Sequence, residues 1–160
     1  MGYNPNPYLT FQSTKTYDHS VGLSACFRQW RAKSHCNKLH GYALQVSFLF
    51  EAPKLDDRNW VVDFGGLKPI KAYLEEVLDH KTVVAEDDPD LVTFRGLHEL
   101  GLIDLRVLPA VGCEAFASMI WHHTAEWLAA TEYCDRVILR SVEVREHAGN
   151  SAKVVYNGGF

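Results

Sequence analysis

The run Tyr42-Ala43-Leu44-Gln45-Val46-Ser47-Phe48-Leu49-Phe50-Glu51 puts Val46, Phe48 and Phe50 on one face of an extended chain, a period of two that predicts a long strand. Upstream, Thr16 to Gln29 reads the same way, with Tyr17, Val21, Leu23, Ala25 and Phe27 sharing a face. Two long strands result, joined through the His- and Lys-bearing connection around residues 30 to 40. Downstream, the polar turn Leu55 to Asn59 and the short run Trp60-Val61-Val62 lead into Asp63-Phe64-Gly65-Gly66. Leu67, Ile70, Leu74, Val77 and Leu78 then recur at helical spacing.

Residues 82–109 carry Glu86, Asp87, Asp88 and Asp90 and one weakly amphipathic piece, and read as a long, partly structured insertion. A second helix is predicted from Glu114 to Ala130. It has Phe116, Met119, Ile120, His123 and Trp127 on one face, and Ala117, Trp121, Thr124 and Leu128 on the next. Arg136 to Glu146 and Ala152 to Tyr156 alternate around His147-Ala148-Gly149-Asn150, which is hairpin chemistry. The expectation is one α+β domain over residues 1–160, ordered strand, strand, helix, helix, strand, strand, with an N-terminal arm over residues 1–12.

The composition narrows the partners. At 47% hydrophobic and 22% charged residues, with a formal net charge of -4, the chain lacks the basic bias of a nucleic-acid binder. It has no apolar run long enough to span a membrane and no secretory h-region. Cys26, Cys36, Cys113 and Cys134 show no C-x-x-C spacing and are expected as free thiols in a reducing cytoplasm. Cys26, Cys113 and Cys134 lie in strand or helix contexts that favour packing. Met1-Gly2 is followed by Asn6 where a myristoylation signal wants Ser or Thr.

Three groups of residues could carry chemistry. In Ser34-His35-Cys36-Asn37-Lys38-Leu39-His40 a thiol stands four residues from an imidazole, with a lysine between them, an arrangement that favours a thiolate. The plainer alternative is a buried Cys36 and a turn His40. Asp79-His80 closes the first helix; a carboxylate beside an imidazole suits a proton shuttle, and a cationic His and Lys at a helix C-terminus suit the macrodipole equally. Glu146 ends an alternating strand. A fixed carboxylate there can accept two parallel N–H bonds from an amidine-like ring edge, or it is simply an exposed strand-end acid. Glu114, at the head of the second helix, is already explained by the helix dipole.

In this order the sites resemble the tetrahydropterin synthase family, which includes the queuosine-pathway 6-carboxytetrahydropterin synthases. The matching strings are Leu23-Ser24-Ala25-Cys26-Phe27, Cys36-x-x-Leu39-His40-Gly41-Tyr42, Trp60 to Lys68, Leu78-Asp79-His80-Lys81, Cys113-Glu114 and Val144-Arg145-Glu146. The resemblance implies the T-fold: a four-stranded antiparallel sheet with two helices on one face, oligomerising so that active sites form between subunits. It implies Cys36 as catalytic thiol, Asp79 and His80 as acid/base pair, and Glu146, with Cys113 and Glu114, as binders of the pterin ring. The reaction implied acts on dihydroneopterin triphosphate, with loss of triphosphate and rearrangement or cleavage of the side chain.

The departures fall on the metal. The family binds zinc with a histidine ending the first strand and both histidines of His-Gly-His, and this chain has Phe27 and Tyr42 at two of those places. Only His40 matches, with His35 as the nearest substitute, so zinc is expected to be weak or absent. The Pro-Thr pair common before the second helix is replaced by Val111-Gly112. The function expected from the resemblance is a carbon-oxygen lyase of the 6-carboxytetrahydropterin synthase type in a queuosine or deazapurine route. A metal-depleted T-fold pterin- or purine-binding protein, or an aldolase-type cleavage of the pterin side chain, stand beside it.

Overall fold

A computed structural model describes residues 6–160; the beginning of the expected N-terminal arm, residues 1–5, lies outside the described residues. The rest of that arm is exposed at Tyr8 and Leu9 and becomes strand at Phe11. The chain forms strands β1 (Phe11–Tyr17), β2 (Leu23–Phe27) and β3 (His40–Ala52), helix α1 (Lys68–Leu78), strand β4 (Lys81–Ala85), helix α2 (Leu91–Glu99), strand β5 (Leu105–Leu108), helix α3 (Cys113–Ala129), and strands β6 (Ile138–His147) and β7 (Asn150–Val155).

The expected continuous strand from Thr16 to Gln29 is broken. Asp18 accepts a hydrogen bond from Ser20 N at 2.9 Å and starts a 3-10 turn over His19–Val21, which Gly22 ends in the left-handed region at φ 78°. The two pieces still line one side of β3, with Tyr17 opposite Val46 and Leu23 opposite Leu44. The period-two pattern therefore survives a break in the strand.

Strands β1, β3, β6 and β7 form the expected four-stranded antiparallel sheet. It is larger than expected, because β2 continues it through the parallel strands β4 and β5 into seven strands ordered β5-β4-β2-β3-β6-β7, with β1 beside β3. The partly structured insertion expected over residues 82–109 holds two strands and a helix: β4, α2 and β5 enclose a satellite core of Val84, Phe94 and Leu105. Among the described residues there are three α-helices where two were expected. Helices α1 and α3 cover the main sheet, α1 against β2 and α3 against β6 and β7. The main core joins Phe48 and Phe50 of β3 to Leu74 of α1 and Phe116 and Ile120 of α3. Burying each such side chain contributes about 1.5–3 kcal/mol.

The other face of the sheet is polar. Glu51 there is nearly buried, accepting from Gln12 Nε2 at 2.7 Å and pairing with Arg140 at 3.1 Å. Arg140 is the extra residue of a β-bulge: Leu49 pairs with Ser141 and Phe50 with Leu139. A second bulge lies farther along β6, where Arg145 pairs with Ser151 and His147 with Asn150, leaving Glu146 as the extra residue.

Candidate active site

Glu146 is half-buried at this second bulge, a device that re-aims a side chain at the end of a ladder. Its carboxylate meets the N-terminus of α3, where the buried thiol of Cys113 donates a hydrogen bond to it. Burial, then the negative charges of Glu146 and Glu114, push the Cys113 thiol up to about 12. Helix α3 starts at Gly112, whose φ of 110° and ψ of 165° belong to glycine. A Cβ there would stand 2.4 Å from Gln29 Nε2, so glycine also makes room for a neighbouring loop.

That loop carries Cys36. Gln29 donates its side-chain amide to Val111 O at 2.6 Å and its backbone N–H to Cys36 O at 2.9 Å, tying the loop to the start of α3. Ser34 caps the 3-10 turn His35–Asn37, leaving Cys36 half-buried and His35 exposed. Asn37 Oδ1, on the following residue, is buried without a hydrogen-bond partner among the described residues. The β4–β5 unit holds the base of the loop. Arg28 donates to both oxygens of Asp88, at 2.9 and 2.6 Å, and to Asp90 at 2.7 Å, while Asp87 accepts from Trp30 Nε1 at 3.1 Å and pairs with Arg31 at 2.8 Å.

Tyr42 lies between these parts. Its pKa is raised by burial first, then by the charges of Glu146, Cys36 and Cys113, so the phenol is within electrostatic reach of all three. Its ring centroid is 6.2 Å from Phe27 and 5.5 Å from His40. Neither the cleft of about 470 Å³ under Trp60 and Phe64 nor that of about 610 Å³ over Glu51 and Arg140 includes Cys36, Tyr42 or Glu146.

Asp79 and His80 are elsewhere. Asp79 caps α1, and His80 follows with a left-handed φ of 55° and a side chain 85% exposed, its Nδ1 2.6 Å from Asp79 Oδ1. The strand register sets Lys81 beside Ala25 but His40 beside Phe27, so the pair projects from a different stretch of β2 than the one facing the Cys36 loop. Among the described residues no contact joins Cys36 to Asp79 or His80. One chain therefore brings together Cys36, Tyr42, Cys113, Glu114 and Glu146, and leaves the Asp79–His80 pair facing outward.

Residues 17–157 match the family described as 6-pyruvoyl tetrahydropterin synthase. The chain belongs to the 6-pyruvoyl tetrahydropterin synthase family. A 6-carboxy-5,6,7,8-tetrahydropterin synthase of Rickettsia felis is 30% identical over 60 residues, 37% of this chain and 44% of that enzyme, so the match spans less than half of the relative. Among solved structures, an uncharacterised protein of Wolinella succinogenes superposes with TM-score 0.78 at 22% identity, covering 92% of this chain and 98% of that one. A catalytic-residue variant of the Plasmodium vivax 6-pyruvoyltetrahydropterin synthase gives 0.67 at 16% identity, covering 93% and 99%. The Caenorhabditis elegans 6-pyruvoyl tetrahydropterin synthase gives 0.56 at 15%, covering 93% and 96%. The fold is the T-fold of these pterin synthases.

For a member of the 6-pyruvoyl tetrahydropterin synthase family, the residues at the implied zinc position are a poor donor set. Phe27 has no donor atom, Tyr42 offers a neutral phenol, and His40 has its Nδ1 2.7 Å from Lys38 O. His35 is exposed in the 3-10 turn, and among the described residues no group of three or more His, Cys, Asp or Glu side chains is placed to hold a metal ion. These residues do not fit a three-imidazole zinc centre. No described helix is long and apolar enough to cross a membrane.

Sequence reasoning passed over Tyr42 as a working group, and Gln29, Asn37 and Arg28 entirely. Their parts depend on contacts across 82 residues for Gln29 and 60 for Arg28, which no local pattern carries. It also assigned Cys134 to packing, whereas that residue is exposed in the turn after α3.

Proposed function

We propose that this chain is a carbon-oxygen lyase acting on dihydroneopterin triphosphate or a close pterin relative, in the manner of a 6-carboxytetrahydropterin synthase and in a queuosine or deazapurine route. The observation that carries the reading is the Glu146 carboxylate, set on a β-bulge, hydrogen-bonded by Cys113 and faced by Tyr42. A carboxylate so held accepts the paired N–H groups of a 2-amino-4-oxo pyrimidine ring, with Glu114 close by.

With the ring anchored, the Cys36 thiolate takes a proton from the side-chain carbon adjacent to the one that bears the triphosphate. The electron pair left behind forms a double bond as the carbon–oxygen bond to triphosphate breaks. The Asp79–His80 pair returns the proton. Because that pair faces outward from its own chain, it serves Cys36 of a neighbouring copy in a homo-oligomer. The outer edges of β1 and β7, each paired on one side only, support such an assembly. The cytoplasm is the compartment proposed, in keeping with four unpaired cysteines.

Titrating wild type and Glu146→Gln with a pterin, alongside thermal melts, tests the reading. Loss of one charge-assisted bond costs about 1.5–3 kcal/mol, so the variant should bind more than tenfold more weakly with its melt intact. Equal affinities, or no binding by wild type, would remove the ring anchor. The misfit of Phe27 and Tyr42 to zinc favours a second reading, a pterin-binding protein or an aldolase-type enzyme without metal; ligand binding with no triphosphate release would select it.

A further inference from the structure

Gln29 touches both halves of the site. Its backbone N–H donates to Cys36 O at 2.9 Å, and its side-chain Nε2 donates to Val111 O at 2.6 Å. Val111 lies two residues before Cys113, whose thiol is hydrogen-bonded to Glu146. The thiol loop and the carboxylate on the β6 bulge are therefore joined through Gln29, Val111 and Cys113. Glycine at position 112 keeps this link short, because a Cβ there would stand 2.4 Å from Gln29 Nε2.

Packing does little to hold the two halves together at this point. A cleft of about 100 Å³ is lined by Gln29, Trp30 and Arg31 of the loop and by Pro109, Ala110 and Val111 ahead of α3, and the Gln29–Val111 bond joins its two sides. The ion pairs of Arg28 with Asp88 and of Arg31 with Asp87 fix the base of the loop to the turn after β4 and leave its place relative to α3 to Gln29. We propose that Gln29 is a positioning residue, whose amide sets the separation between the Cys36 thiol and a ring held at Glu146 so that the thiol meets the carbon it deprotonates. This rests on Cys36 and Glu146 acting on one substrate, as in the proposed lyase reaction. Because Gln29 acts through Cys36 and not on the ring, loss of its amide should spare ring binding and slow proton transfer, where a misplacement of about 1 Å costs up to about a hundredfold.

The test compares wild type with Gln29→Met, which matches the side chain in length and lacks the amide donor. Gln29 is solvent-exposed, so the exchange leaves the core intact. Neopterin affinity by calorimetric titration should stay within about twofold, while triphosphate release from saturating dihydroneopterin triphosphate falls about tenfold or more. Alkylation of Cys36 by iodoacetamide, mapped by mass spectrometry against the exposed Cys134 of the same sample, should run at least about threefold faster in the variant, because the untied loop opens more often. Equal losses of affinity and turnover, unchanged turnover beside an active wild type, or an unchanged ratio of Cys36 to Cys134 labelling each overturn the positioning role. A wild type that binds neopterin and releases no triphosphate removes the lyase reading instead, and the labelling ratio then decides for Gln29 alone. A wild type that does neither removes the ring anchor and this inference with it.

Discussion

The thiol of Cys113, the first residue of α3, is hydrogen-bonded to the carboxylate of Glu146, the extra residue of the β6 bulge. Burial first, then the negative charges of Glu146 and Glu114, and last this bond raise the thiol from an ordinary 9.0 to about 12. A proton held more tightly by the folded protein stabilises it fully below the unfolded value and less as pH rises above it. Between pH 9 and 12 wild type should therefore lose stability faster than Cys113→Ala, by up to about 1.4 kcal/mol per pH unit. Chemical denaturation across that range measures the slope. Parallel slopes would show that the thiol is not held as described.

Mixing two inactive variants tests the sharing of the site between copies. Cys36→Ala and His80→Ala should each lose turnover. If Asp79 and His80 serve the Cys36 of a neighbour, co-refolded mixtures recover activity in the sites that received both intact residues. A dead mixture that light scattering shows to contain mixed oligomers would confine the chemistry to one chain.

The three neighbouring rings of Phe27, His40 and Tyr42 also make a grafting experiment direct. Phe27→His combined with Tyr42→His puts imidazoles at positions whose ring centroids now lie 5.5–6.2 Å apart, around His40. The double variant should bind one zinc per chain and melt higher with zinc than without, since a ligand bound only by the folded state stabilises it. Elemental analysis and melts read the result, with wild type expected to hold little zinc. Failure of the variant to bind zinc would mean that the three positions do not converge on one point.

Asp88, with a side chain 1% exposed, is held in place by Arg28. The guanidinium hydrogen bonds lower the Asp88 carboxyl below its ordinary 3.8. Its stabilisation is complete above that value and fades as pH falls through the lowered one. Arg28→Met strands a buried carboxylate and should cost about 3–5 kcal/mol at neutral pH, most of it recovered by adding Asp88→Leu. Urea melts of the three proteins decide this. Below pH 4 the gap between wild type and Arg28→Met should shrink, because the stranded group is then neutral.

Much of this architecture was readable in advance because long elements repeat their period. Strand β3, 13 residues long, alternates as far as Phe50, and α3 keeps its apolar arc through 17. The break between β1 and β2 escaped notice because Asp18 and Gly22 fall where the apolar alternation continues on both sides of them. Strands β4 and β5 have five and four residues and little polar alternation, so they look like the flanks of an acidic loop. Within the site, Cys36, Glu114 and Glu146 were legible as motif residues. Tyr42 was not, because it reads as a missing histidine until its ring is seen between Phe27 and His40.

The two bulges in β6 impose an odd-and-even rule on the chain. Leu139 faces the helices, and the extra residue at Arg140 shifts the alternation so that Val142, Val144 and then Glu146 share that face. Losing or gaining a single residue between Leu139 and Glu146 would turn the carboxylate to the opposite side of the sheet, although every strand could still form. Changes of length in natural relatives should therefore collect in the hairpin turn beyond His147 or arrive in pairs. Within this stretch the number of residues, more than their identity, fixes the face on which Glu146 lies.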